Sequence, residues 1–291
     1  ALASQALGYA ATPAPYLSSA IMAAVALRTV GGAEAERWLG GIASGELVVG
    51  VGVTELFSRR EGAGVSLSGG KLEGKALMAI DAFGADLVLV ALGPDRLAVV
   101  RGDAAGLTTT RLTTIDATRC TSELILEGVT PESVHEAAGD AVTRMLEAGR
   151  IALAADVIGA CESMIDQAVT YAGQRKQFDR LIGSFQAVKH LCAEMISEIE
   201  PARSLLWYAA HAFDAAPEEA PLMACHALAH TSEIGHEIAS VSTQVHGGIG
   251  WTDEQNLHFW YKRIGTARHL LGGPEALRVR AAELQGFAEA S

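Results

Sequence analysis

The sequence is poor in aromatic and charged residues and contains no long uncharged apolar stretch. Aromatic side chains make up 5% of the 291 residues and charged side chains 19%. Much of the packing therefore falls to Ala, Leu, Val and Ile, which suit closely packed helices. A membrane-spanning helix needs about 18 or more consecutive apolar residues, and the opening residues 1–16 lack the basic and apolar regions of a secretory signal. We therefore expect a cytoplasmic protein that is not bound to a membrane.

Cysteines are scarce and widely separated. The four are Cys120, Cys161, Cys192 and Cys225, and no pair has C-x-x-C or another metal-ligand spacing. The last three fall within apolar patterns of helical spacing. We expect buried free thiols in a reducing compartment and no metal site.

Several common binding and catalytic signatures are missing. There is no G-x-G-x-x-G after a strand pattern, no P-loop and no H-E-x-x-H, which removes the main support for a Rossmann enzyme, a nucleotide hydrolase or a zinc protease. Basic residues are outnumbered, because 22 Lys and Arg face 34 Asp and Glu for a net charge of -12. This balance disfavours nucleic acid as a general partner, and a polyanionic ligand would need a local basic pocket.

The chain is long enough for two or three domains. Its residue composition and hydrophobic pattern change twice along the sequence. Residues 1–46 resemble the end of a helical domain, with two short helices predicted behind Pro13 and Pro15. Residues 47–134 contain short Val, Leu and Ile runs punctuated by Gly, Pro and Asp, which predicts a small β domain. Residues 135–291 have apolar positions at helical spacing, which predicts a helical bundle. The expected fold is mainly α with a small central β domain and a C-terminal four-helix bundle.

Within the last segment the pattern predicts the helix boundaries. A long helix should follow Phe185, and Pro201 should kink or end it. Residues 214–221 indicate an exposed connection, and residues 226–245 indicate a largely buried helix.

The stretch from 171 to 195, YAGQRKQFDRLIGSFQAVKHLCAEM, is the most informative part of the sequence. It places Arg175 at the end of one helix and Gln186 at the start of the next. A forked guanidinium and an amide there could bind a phosphate or nucleotide, and Phe178 could offer a stacking face. The alternative is a helix-capping Arg and a core Phe.

A second stretch, QVHGGIGWTDEQNLHFWYKR from 244 to 263, places two glycines after a long helix. Exposed backbone amides at Gly247 and Gly248 could approach a pyrophosphate with no side chain in the way. The alternative is an ordinary glycine C-cap.

Together these stretches resemble the acyl-CoA dehydrogenase family. The first resembles its Tyr-Ala, Arg, Phe-Gly and Phe-Gln pattern, with Asp179 in place of the usual Gly, and the resemblance implies that Arg175, Phe178 and Gln186 contact FAD. The second resembles its Gln-x-x-Gly-Gly-x-Gly segment. That match implies that Gln244, Gly247 and Gly248 reach the ADP part of a flavin bound mainly by a neighbouring subunit.

A third likeness lies in the predicted β domain. Thr54 and its neighbours resemble the family's Thr-Glu-Pro turn, with Leu56 in place of the Pro, which implies that Thr54 meets the flavin ring. Ala79 and Ile80 stand about where a polar or aromatic flavin contact is expected. The resemblance runs in order from about residue 13 to residue 273.

The family chemistry needs a carboxylate base, because a proton leaves the carbon next to the thioester while hydride leaves the next carbon for the flavin. The two positions from which family members supply that base are occupied here by Gly149 and Gly272. We expect the nearby Glu147 and Glu275 to be solvated surface carboxylates. Arg150 matches an Arg near the family's acyl-CoA site, and the alternative is a capping or interface Arg.

The resemblance implies a flavoprotein subunit that dehydrogenates an acyl-CoA thioester with FAD and passes electrons to an electron-transfer flavoprotein. It implies an enzyme of lipid or steroid side-chain catabolism, in a homo- or heterotetramer, although this chain alone lacks the base. One alternative is a non-catalytic partner that completes the FAD site of a Glu-bearing subunit in a heterotetramer. Another is a relative with flavin monooxygenase chemistry. His246 and His269, beside the two glycine sites, are expected to be structural hydrogen bonders.

Overall fold

The computed structural model describes residues 1–57 and 62–287 and divides into two compact units. The sheet unit is Pro13–Gly149, and the helical unit is Ala1–Thr12 together with Arg150–Ser291. Compact units do not by themselves define folding domains, so the three-domain division of the sequence stays a prediction. In the described part of the chain, no helix has the length and apolarity needed to cross a membrane.

The sheet unit begins with helices. A π-helical segment, Tyr16–Ala23, continues directly into α2, Ala24–Val30, and α3 follows at Ala33–Ser44. These confirm the two short helices predicted behind Pro13 and Pro15. The shorter α1, Leu2–Tyr9, belongs to the helical unit and was not predicted.

The sheet that follows has eight strands. They are β1 Val49–Gly52, β2 Gly64–Ser68, β3 Lys71–Ile80, β4 Leu87–Ala91, β5 Leu97–Arg101, β6 Leu107–Arg111, β7 Thr121–Val129 and β8 Ser133–His135. The order is β6-β7-β3-β1-β4-β5-β8, with β2 paired to β3. Strands β1 and β4 run parallel, with Val49 opposite Leu87, and the other pairs are antiparallel.

The apolar runs seen in the sequence form the centre of this sheet. Strands β1 and β4 are buried along their whole length, as expected for strands covered on both faces. The side chains of Leu72, Val88, Val100, Leu124 and Leu126 belong to one buried cluster. This core fixes the end of β1, from which the Thr54 turn leaves.

Besides α1, the described residues of the helical unit form three long helices and two shorter ones. They are α4 Gly139–Ala172, of which the residues from Arg150 onward belong here, α5 Gln186–Ala215, α6 Ala220–His246, α7 His258–Ala267 and α8 Pro274–Leu284. A small hairpin of β9 Lys176–Gln177 and β10 Arg180–Leu181 lies between α4 and α5. The predicted fold class, mainly helical with a central β region and a C-terminal bundle, is confirmed.

Most of the predicted helix boundaries are confirmed. Helix α5 begins directly after Phe185, and α5 and α6 are separated by four residues, Ala216 to Glu219, within the predicted connection. Pro201 lies inside α5, which continues to Ala215, so Pro201 does not end the helix.

A buried ion pair joins α4 to α7 within the helical unit. Arg263 Nη2 lies 2.7 Å from Asp156 Oδ2, and Arg263 Nε donates to Asp156 Oδ1 at 3.0 Å. Both residues are buried, and the two-fold contact compensates part of the cost of removing the charges from water. The pair therefore fixes α7, and with it the segment that follows, against α4.

None of the four cysteines forms a disulfide. Cys161 and Cys225 are buried, as predicted, but Cys120 and Cys192 are partly exposed, so the predicted burial is wrong for these two. Among the residues that the structure describes, no group of three or more His, Cys, Asp or Glu side chains could hold a metal ion.

Candidate functional site

The first sequence motif forms a tight hairpin turn between β9 and β10. Its two central residues, Phe178 and Asp179, have φ angles of 52° and 61°, the left-handed conformation of a two-residue hairpin turn in which Asn and Gly are favoured. Aspartate is among the residues that tolerate this conformation, which explains how Asp179 can stand where the family usually has Gly. The turn leaves the Phe178 side chain 86% exposed.

Phe178 is therefore not a core residue, and the core alternative for it is wrong. Its ring meets Phe185 edge to face at 6.2 Å, and the Arg180 guanidinium lies 3.8 Å from the centre of the Phe185 ring. The backbone N–H of Arg175 donates to the Tyr171 carbonyl at 2.8 Å, and the Arg175 carbonyl accepts from Ile182 N–H at 2.8 Å. These bonds fix the hairpin to the end of α4 while the Arg175 side chain stays exposed.

Gln186 is the first residue of α5, as predicted, and its side chain is exposed. Its Nε2 lies 3.4 Å from His190 Nε2 on the next turn. The first turn of a helix has backbone N–H groups without helical partners and attracts anions. Gln186 is thus placed where an amide and free backbone donors are close together.

The second motif forms the exposed C-terminal end of α6. The helix ends at His246, and Gly247 follows with φ 66° and ψ -144°, a conformation that favours glycine. A Cβ atom built at Gly247 or Gly248 meets nothing within 4 Å. Both glycines and Gln244 are exposed, so a ligand can reach this backbone.

An aromatic contact brings the two motifs together. The rings of Tyr171, near the end of α4, and His246, at the end of α6, are stacked with centroids 4.8 Å apart. His246 Nδ1 lies 2.7 Å from the Ser242 carbonyl and donates to it, as expected of a structural hydrogen bonder. The Arg175 hairpin and the Gly247 turn therefore belong to one end of the helical unit.

Thr54 belongs to the sheet unit, where it opens the short 3-10 turn Thr54–Leu56 after β1. Its hydroxyl lies 3.5 Å from the Met78 carbonyl, and the Glu55 carboxylate accepts from Leu77 N–H at 2.7 Å. Thr54 is partly exposed. Ala79 is buried within β3 and carries no polar side-chain group.

Gly272, one of the two base positions, is buried in a sharp corner between α7 and α8. Leu271 and Gly272 have φ angles of 55° and 93°. Arg150 Nε donates to the Leu271 carbonyl at 3.1 Å, and a Cβ built at Gly272 would lie 3.3 Å from Leu277 Cδ2 and 3.9 Å from Arg150 Nη2. Arg150 lies inside α4 and is not a helix cap. Its hydrogen bond to Leu271 stabilises the corner at which the resemblance places the catalytic base.

The prediction that Glu147 is solvent-exposed is wrong. We expected a solvated surface carboxylate, but Glu147 is 2% exposed and lies 3.2 Å from Arg144 Nη1. The two residues stand one helical turn apart, and an ion pair at this spacing lets a carboxylate be buried. Gly149, the other base position, is also buried. Glu275 is exposed, as predicted, and lies 3.6 Å from Arg268.

Comparison with known proteins places these features in a family. Residues 139–283 match the family model described as acyl-CoA dehydrogenase, C-terminal domain. The acyl-CoA dehydrogenase FadE27 of Mycobacterium tuberculosis is 28% identical over 92% of this chain and 75% of its own length. Three bacterial relatives that are 33% to 40% identical match 44% to 50% of this chain, and the matches span only 38% to 39% of their own length.

Solved structures extend the likeness to almost the whole chain. The ChsE4-ChsE5 complex from Mycobacterium tuberculosis has a TM-score of 0.88 at 25% identity, covering 99% of this chain and 80% of the other. A variant of the Tcur3481-Tcur3483 steroid ACAD has a TM-score of 0.86 at 28% identity, covering 99% and 80%. The motifs, the sequence relatives and the fold agree, and the chain belongs to the acyl-CoA dehydrogenase family.

Proposed function

We propose that this chain is a FAD-binding subunit of a heteromeric acyl-CoA dehydrogenase, in which a related subunit supplies the carboxylate base. The observation that carries the proposal is the corner at Gly272, where the family's base position holds a glycine with φ 93°. Gly149 occupies the second base position. A chain that keeps the cofactor motifs and lacks both bases is suited to complete a flavin site and not to take the proton.

The residues at the end of the helical unit fit a dinucleotide. A Cβ atom at Gly247 or Gly248 would meet no other atom within 4 Å. A pyrophosphate could therefore approach their backbone without meeting a side chain. The exposed Gln244 lies on the last turn of α6 beside them. An uncovered turn of this shape is what the ADP part of FAD requires.

Each remaining residue has a distinct part in holding the cofactor. The Arg175 guanidinium and the Gln186 amide would bind phosphate or ribose oxygens, and the exposed Phe178 ring would pack against a flat ring system. The Thr54 hydroxyl would donate to the flavin ring. Bound FAD supplies the acceptor for the hydride that leaves the substrate.

The substrate that this proposal implies is an acyl-CoA thioester, with an electron-transfer flavoprotein as the electron acceptor. Arg150 lies at the Gly272 corner and could neutralise a phosphate or fix the substrate channel. The likeness to a steroid ACAD supports lipid or steroid side-chain catabolism. The likeness to the ChsE4-ChsE5 complex supports assembly with a related subunit, and we propose that this assembly is a tetramer.

A second candidate is a dehydrogenase that uses a base from another position in this chain. Glu147 favours it, because this carboxylate is buried and lies two residues before Gly149 on the same helix. Against it, Arg144 at 3.2 Å stabilises the ionised carboxylate, and Glu147 projects from the helix about 200° around its axis from position 149.

The test is to express the chain alone and together with a Glu-bearing relative encoded beside it, and to measure flavin absorbance and native mass. We expect FAD and acyl-CoA dehydrogenase turnover only in the mixed complex. Arg175→Ala in this chain should reduce the flavin content of that complex, whereas the control Arg37→Ala, an exposed Arg on α3, should not. Turnover by a homo-oligomer that is abolished by Glu147→Gln would reject the proposal in favour of the second candidate.

A further inference from the structure

The sheet unit contains a cavity that has no part in the proposed cofactor site. It lies where β3 ends and β1 begins, between the segment around Pro13 and Pro15 and the loop that joins β6 to β7. All of its lining residues belong to the sheet unit. Neither Thr54 nor Met78 is among them, so the cavity is separate from the turn assigned to the flavin ring.

The cavity is large enough for a small organic molecule. Its volume is about 230 Å³, whereas a single buried water needs only about 10–15 Å³. It is smaller than the roughly 300–1,000 Å³ of pockets that hold drug-sized ligands. These limits favour a compact ligand and exclude a dinucleotide or a CoA ester as the occupant.

Part of the cavity lining is apolar. Pro13, Pro15, Val48 and Phe83 contribute to the lining. Phe83 is 53% exposed, although phenylalanine is usually buried. A partly exposed aromatic ring at the edge of a cavity offers a face on which the apolar part of a ligand can pack.

The lining also includes two guanidinium groups and one carboxyl. Arg119 forms an ion pair with Asp116, in which Arg119 Nε lies 3.6 Å from Asp116 Oδ2. Arg111, the last residue of the edge strand β6, is exposed and makes no ion pair within the described part of the chain. The charge of Arg111 is therefore available to a ligand.

Asp81 is the one carboxyl in the lining, and the fold restrains it. Ser18 Oγ donates to Asp81 Oδ2 at 2.7 Å, and the backbone at Asp81 has φ 51°, a strained conformation that tends to persist at functional positions. Burial raises the pKa of Asp81, because removing a carboxyl from water disfavours its charged form. The lining as a whole carries one more cation than carboxyl groups.

We propose that this cavity binds a small monocarboxylate with an apolar tail. The carboxylate pairs with Arg111, where a charge-assisted hydrogen bond to a guanidinium is strong, and the tail lies against Pro13, Pro15 and Phe83. A neutral alcohol of the same length lacks the charge, and an amine carries the wrong sign. The assignment is independent of FAD binding and of the dehydrogenase proposal.

The experiment is isothermal titration calorimetry of the full chain with hexanoate, hexanol and hexylamine. We expect hexanoate to bind and the other two not to bind measurably in the same concentration range. Arg111→Gln should weaken hexanoate binding about tenfold or more. The matched control is Arg101→Gln, because Arg101 is an exposed strand-end arginine of the same sheet that lies outside the cavity.

A second variant tests the apolar part of the cavity lining. Phe83→Ala should reduce the preference for hexanoate over acetate and leave acetate binding unchanged, since acetate has almost no tail to bury. Equal binding of hexanoate and hexanol would overturn the proposal. So would a complete absence of hexanoate binding, or an Arg111→Gln variant that binds hexanoate as the original chain does. Circular dichroism of both variants excludes misfolding as the cause of a loss.

Discussion

Replacing Gly272 by Glu puts a carboxylate back at the family's base position, and we expect that it does not create a dehydrogenase. The corner has φ 93° at Gly272 after φ 55° at Leu271, and Arg150 holds the Leu271 carbonyl at 3.1 Å. A side chain at 272 begins 3.9 Å from Arg150 Nη2. The new carboxylate would pair with that guanidinium, which lowers its affinity for a proton.

The expected loss of stability has two parts. A residue with a Cβ in the left-handed region costs about 1–2 kcal/mol, and a built Cβ lies 3.3 Å from Leu277 Cδ2, closer than ordinary packing. Forcing extra atoms into a packed core costs about 1–3 kcal/mol. We therefore expect Gly272→Glu to lower the free energy of unfolding by about 2–5 kcal/mol, a large part of the roughly 5–15 kcal/mol typical of proteins.

Two further variants, Gly272→Ala and Gly273→Ala, separate the cost of backbone strain from the effect of the added carboxylate. Gly273 has φ -69° and ψ 166°, which any residue adopts. Its Ala variant should be neutral or more stable by up to about 1 kcal/mol, since it restricts the unfolded chain. Gly272→Ala should lose about 1–2 kcal/mol from backbone strain, plus any cost of the Leu277 contact.

The assay is urea unfolding for all three variants and acyl-CoA dehydrogenase turnover for Gly272→Glu, measured on the chain alone with added FAD. Two results would refute the reasoning. One is a Gly272→Ala variant as stable as Gly273→Ala, which would mean that the corner is not strained. The other is robust turnover by Gly272→Glu, which would mean that Arg150 does not suppress a base at this position.

Three further outcomes test other parts of the structure. Arg263→Leu leaves Asp156 buried without its ion pair and should cost about 3–5 kcal/mol in urea unfolding, whereas a loss below about 1 kcal/mol would contradict the pairing. Asp179→Val should destabilise the hairpin turn by about 1–2 kcal/mol and Asp179→Gly by less than about 1 kcal/mol; equal losses would disprove the left-handed turn. Burial raises the pKa of Asp81, so its ionised form weakens the folded state above that pKa. Asp81→Asn should therefore increase stability at neutral pH, with a gain that shrinks as the pH falls through this raised pKa toward the usual aspartate value of about 3.9, and a gain that grows on acidification would contradict the argument.

Local patterns in the sequence predicted the architecture well. The Val-, Leu- and Ile-rich runs gave the strands because a sheet buried on both faces needs continuous apolar segments. Apolar positions at helical spacing gave α5 and α6 together with the connection between them. The prediction that Pro201 could end α5 was the exception. Proline has no N–H to donate, but the helix continues past it to Ala215.

The positions of the candidate cofactor-binding residues along the elements were also predictable. Arg175 and Gln186 stand at the end of one helix and the start of the next, and Gly247 follows α6, as the sequence indicated. The left-handed conformation of Asp179 had no clear signal, since aspartate is compatible with many backbone conformations. Only the fold shows that Phe178 points outward and not into the core.

The sequence by itself determined the elements, the family resemblance and the absence of a carboxylate at the two base positions. The packing of the elements determines which distant residues meet and which side chains are buried. It buries Glu147, stacks Tyr171 on His246, and places Arg150 over a corner 121 residues away along the chain. The physical reason is that helix and strand periods are local, whereas burial and ion pairing depend on which elements pack together.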